Sequence, residues 1–124
     1  MRRGLARRRT LGGLLCLAVA CSDDPSTPPA QHEALVLEGQ RVYQNVCIAC
    51  HHGDPSQDGS LGPAIAGSSR ALLEAKVLRG EYPPGYTPKR TTTAMPQFGY
   101  LADQLDALTA YLAEAAAKGS KPGS

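Results

Sequence analysis

The chain has 124 residues, with 13 basic and 11 acidic side chains, 10 prolines, 13 glycines and no tryptophan. That length suffices for one domain and leaves no room for a second. The slight positive balance is concentrated in the first nine residues, so it gives no support to a nucleic-acid partner.

The N-terminus has the three parts of a secretory signal peptide. Arg2, Arg3, Arg7, Arg8 and Arg9 form a basic head, Leu11 to Ala20 is an apolar run, and Ala18-Val19-Ala20 fits a small-residue cleavage site. The run is too short to span a bilayer, which takes about 20 apolar residues. Cleavage after residue 20 removes five of the thirteen basic residues. Eight then face eleven acids, for a net charge of −3.

Four cysteines stand at 16, 21, 47 and 50. Cys16 leaves with the leader, and Cys21 becomes the first residue of the mature chain. This region resembles the lipobox of bacterial lipoproteins, with Ala18 where that family carries leucine. The resemblance implies lipid on Cys21 and an exported protein anchored to the membrane on its periplasmic side. A plain cleaved signal and a soluble periplasmic protein share the same cleavage point. Residues 21–34 then read as a lipidated or flexible linker, because 22–31 hold three prolines, two acids and no apolar face.

Helical spacing begins near Glu33. Leu35, Val36, Gly39, Val42, Tyr43 and Val46 recur every three or four residues and lead straight into Cys47. A glycine- and proline-rich loop follows from Gly53 to Gly67. Ser68 or Ser69 is placed to cap a second helix bearing Leu72, Leu73, Lys76, Val77 and Leu78, which Gly80 ends. Residues 81–100 form another long loop. Asp103 is placed to cap a last helix, with Leu105, Leu108, Tyr111 and Leu112 as its apolar stripe. No strand or repeat is expected. The domain is set at 35–118, with a disordered tail at 119–124.

Cys47-Ile48-Ala49-Cys50-His51 spells C-x-x-C-H, the pattern of covalent c-type haem attachment. Two thiols one turn apart can add to the two vinyl groups of one porphyrin, and the adjacent imidazole can then ligate iron. Other uses of the motif fit less well. A thioredoxin-like pair requires a βαβ pattern, and a structural zinc site requires four ligands. Haem also explains how three short helices and two long loops form a domain, since it offers those loops a large apolar surface.

Residues 36–115 resemble a class I c-type cytochrome, the monohaem cytochrome c family. Gly39 and Tyr43 match its crossing positions on the first helix, and Leu108 and Tyr111 match those on the last. Gly62-Pro63-Ala64-Ile65-Ala66-Gly67 resembles its G-P-x-L-x-G segment, and Met95-Pro96-Gln97-Phe98-Gly99 resembles its M-P-x-F loop. The resemblance implies a small all-α cytochrome c fold of three or four short helices around one haem c. Cys47 and Cys50 would bind the haem, with His51 and Met95 as axial iron ligands and the Pro63 carbonyl accepting from His51 Nδ1–H. It implies no catalytic residue but a single-electron carrier between redox protein partners, as a monomer or as a subunit of a respiratory complex. An open-site haem sensor, a peroxidase-like enzyme and a fixed subunit of a larger oxidoreductase share the motif. Lys89, Arg90, Tyr82 and Tyr86 are candidates for contact with the haem propionates.

Overall fold

The computed structural model describes residues 28–91 and 94–119. The leader, Cys21 and most of the C-terminal tail lie outside the described residues.

Helix α1 spans Pro29–Val46. It starts four residues before Glu33, because Pro29 occupies the first helical position, where a missing N–H and a fixed φ are tolerated. The Pro28 carbonyl receives the Gln31 and His32 amides. Residues 29–34, expected in a flexible linker, are therefore the exposed first turns of α1.

Helix α2, Arg70–Leu73, is capped by Ser69, whose hydroxyl accepts from the Leu72 amide at 3.2 Å. It widens at once into a π-helical turn, Glu74–Leu78. Gly80, at φ +73°, turns the chain out of it. Residues Gly99–Gln104 form a 3-10 turn that runs into helix α3, Leu105–Gly119. Asp103 was expected to cap α3 but lies inside that turn. Asp106 meets Arg70 Nε at 2.7 Å. Among the described residues there is no strand, so the architecture is the expected all-α one.

Helices α1 and α3 cross at Gly39. A Cβ built there would sit on the Ala107 carbonyl, so only glycine permits this approach. One turn on, Tyr43 and Tyr111 pack with ring centroids 5.5 Å apart. Tyr43, Leu105, Leu108 and Leu112 are fully enclosed, with Val42, Leu73, Val77 and Leu101 around them. Burial of each such side chain contributes about 1.5–3 kcal/mol. The core ends at a rim of Val46, Cys47, Ile65, Met95 and Phe98, which opens onto a cleft.

Candidate functional site

The cleft begins where α1 stops. The Cys47 amide still reaches the Tyr43 carbonyl, and the chain then tightens into a 3-10 turn, Cys47–Ala49. The Cys50 and His51 amides both return to the Cys47 carbonyl, at 3.2 and 2.9 Å. This turn brings Cys47, Cys50 and His51 together on the cleft wall. Both cysteines are half-buried free thiols. Burial pushes the Cys47 thiol up to about 11, so at neutral pH it is protonated. Such a thiol is a poor partner for disulfide exchange, which needs a thiolate.

His51 is fixed from behind. Its Nδ1–H donates to the Pro63 carbonyl at 2.8 Å, which leaves Nε2 with a free lone pair for a metal. The loop that carries Pro63 is folded to make this contact. Leu61 and Gly62 donate to the Cys50 carbonyl, Gly59 donates to Gly62, and the Pro55 carbonyl accepts from both Ile65 and Ala66. Gly62 lies against the imidazole itself, where a Cβ would strike the ring. His52 lies apart: it is exposed, its Nδ1 accepts from the Asp54 amide, and its carbonyl accepts from Tyr43 at 2.5 Å.

Met95 is half-buried and lines the same cleft. The end of the second helix explains how its loop is held. The helix stops at Leu78 and Gly80 turns the chain away, so the Val77 carbonyl, in the last turn, has no helical partner. It accepts instead from the Phe98 amide at 2.7 Å, while the Glu81 amide folds back to the Ala75 carbonyl. Gln97 Nε2 adds a bond to the Arg79 carbonyl at 2.8 Å. The sequence held no sign of Val77 or Gln97 in this role, because one acts through its main chain and the other fills the unspecified position of the M-P-x-F pattern.

Tyr82, Tyr86, Lys89 and Arg90, the propionate candidates, all line the cleft. The two tyrosine rings stack at 5.4 Å, and Lys76 Nζ lies 4.2 Å from the Tyr82 centroid. Lys89 and Arg90 place their donors on main-chain carbonyls of the 59–64 loop.

These residues fit a haem. Two free thiols, an imidazole oriented by its own hydrogen bond and a thioether share one apolar-walled cleft. Among the described residues no group of three or more His, Cys, Asp or Glu side chains comes together to hold a metal ion directly. Fold and cleft together define a small helical haem protein with thioether attachment. The chain belongs to the cytochrome c family, whose pattern it matches over residues 36–116. Its cofactor is covalently bound haem c, and the chain is a haem electron carrier.

The chain is also 30% identical, over 115 residues, to the cytochrome bc1 complex cytochrome c subunit of Corynebacterium efficiens. The match covers 91% of this chain and 37% of that protein, so the chain spans little more than a third of the relative's length. No solved structure matches the chain.

Proposed function

We propose that the chain carries single electrons through one haem whose iron is held by His51 and Met95. The observation that carries this reading is the convergence of an oriented imidazole and a thioether on the cleft that also holds both thiols. A bound haem iron would cycle between ferric and ferrous states. The residues supply everything else. Cys47 and Cys50 fasten the group and prevent its loss during repeated turnover. The Pro63 carbonyl keeps His51 in one tautomer and one orientation. Met95 closes the remaining position, so no substrate or dioxygen competes for the metal. Its soft sulfur favours the ferrous state and raises the potential relative to two histidines. Leu73, Val77 and Leu108 wall off water.

The partners we propose are a redox protein donor and a redox protein acceptor on the periplasmic side of a membrane. The signal-like leader and the lipobox-like cysteine at position 21 support export and a lipid tether. Among the described residues no helix is long and apolar enough to cross a membrane. A second reading, a fixed subunit of a respiratory complex, is favoured by the similarity to a cytochrome bc1 complex subunit. Co-purification of a stoichiometric partner would select it over a diffusing carrier.

The test of the ligand set is the optical spectrum of the oxidised protein beside that of Met95→Ala. A thioether-to-iron band present in the parent and lost in the variant is the expected result. Ready carbon monoxide binding by the ferrous parent at neutral pH would overturn it in favour of an open-site protein. A mass of the mature chain reads out haem attachment and lipid on Cys21 together.

A further inference from the structure

The segment that leads into Met95 carries two adjacent cations, and both reach across the cleft. Lys89 Nζ donates to the Ala64 carbonyl at 2.7 Å. Arg90 Nη1 donates to the Leu61 carbonyl and Nη2 to the Gly59 carbonyl, each at 3.4 Å. Arg90 Nη2 also lies 3.7 Å from Asp58 Oδ2. Asp58 in turn accepts from the Ala64 amide at 2.7 Å. All the acceptors belong to the turn 58–64, which presents the Pro63 carbonyl to His51. The partners are 25 to 31 residues apart in sequence, so these bonds join the two loops that flank the helix over residues 70–78.

We propose that Lys89 and Arg90 are positioning residues: they strap the Met95 loop to the Pro63 loop and so keep the cleft closed against foreign ligands. The proposal rests on Met95 as an iron ligand. The other end of the same loop is anchored by Val77 and Gln97, so the strap completes a two-point attachment. Bonds from cations to carbonyls are stronger than neutral ones. Here both cations are partly exposed, which limits the value of each. An external ligand gains the metal only when this loop opens, and its apparent affinity follows the open fraction. Loss of one strap contact should raise that fraction about threefold, and loss of both about tenfold.

The experiment uses the haem-loaded protein with Lys89→Met, Arg90→Met, the double variant, and Lys89→Arg, which keeps a donor. Imidazole is titrated into each ferric protein while the thioether-to-iron band is followed, and urea midpoints are recorded in parallel. Imidazole affinity should rise about threefold in each Met variant and about tenfold in the double variant, with Lys89→Arg close to the parent. Unchanged affinity in the Met variants overturns the strap and leaves Met95 standing as ligand. A lower urea midpoint with unchanged affinity also overturns it, because the cations would then serve only general stability. A parent lacking the band overturns the Met95 reading, and the strap with it. Should the double variant fail to load haem, the two single variants carry the same test.

Discussion

His51 Nδ1 lies 2.8 Å from the Pro63 carbonyl oxygen, and the residue before that proline touches the same imidazole. The contact and the bond together leave the ring one position and Nε2 one direction. A proline holds the carbonyl well, since its own φ is fixed and its nitrogen donates no competing bond.

Gly62→Ala should therefore disturb the haem ligand more than the fold around it. The new methyl group meets the imidazole, and the ring or the loop must shift, a strain of about 1–3 kcal/mol. A weakened or displaced thioether-to-iron band, with helix content preserved by circular dichroism, is the expected outcome.

Gly39→Ala acts at the helix crossing. Its methyl would occupy the place of the Ala107 carbonyl oxygen and force α1 away from α3. A loss of about 1–3 kcal/mol in urea unfolding is expected, with an unaltered denaturant slope if both states stay as compact as before.

Tyr43→Phe removes the hydroxyl that donates to the His52 carbonyl at 2.5 Å. The cost should be about 1–2 kcal/mol in urea unfolding near neutral pH. A pH dependence accompanies it. Burial raises the Tyr43 pKa above its ordinary value, with the charges of Tyr111 and Asp54 adding to the effect. The folded state thus holds this proton more tightly than the unfolded one. The resulting stability is complete below about pH 10, the ordinary tyrosine value, and is lost as pH rises beyond it. Stability above pH 10 should fall less steeply in Tyr43→Phe than in the parent.

Gln97→Ala tests the second anchor of the Met95 loop. The variant loses the bond to the Arg79 carbonyl but keeps the Phe98 amide on Val77. The effect on global unfolding should be small, about 0.5–1.5 kcal/mol. Met95 should give way more easily, read as a lower imidazole concentration at half-loss of the band.

Cys50→Ala leaves Cys47 as the sole attachment point in the cleft. The denatured variant should carry haem through one thioether or none, and its mass, with the absorption maximum of the reduced pyridine adduct, distinguishes these from the parent.

Much of the fold was legible in the chain. The apolar spacing of Leu35 to Val46 and of Leu105 to Leu112 marked two helices, and the pair Ser68 and Ser69 marked the start of α2, where Ser69 is the cap. The errors fell at helix starts. Pro29 extends α1 backward, and the 3-10 turn absorbs Asp103, because neither choice leaves an apolar period to read. The anchor of the Met95 loop was invisible for a related reason. The orphan Val77 carbonyl at the end of the second helix meets the Phe98 amide some twenty residues later, and no local propensity encodes such a partner.

The sequence alone determined the chemistry: C-x-x-C-H at 47–51 names the cofactor, and the single methionine of the domain names the candidate second ligand. Those assignments depend on residue type and short spacing, which a linear string preserves. Tertiary structure decided how the groups are held. The Pro63 carbonyl behind His51 was expected from the resemblance, but the Val77 carbonyl and the bonds of Lys89 and Arg90 join main-chain carbonyls to donors far away in sequence. Any residue presents a carbonyl, so which one a lysine, an arginine or a distant amide meets is fixed only when the loops close over the cleft.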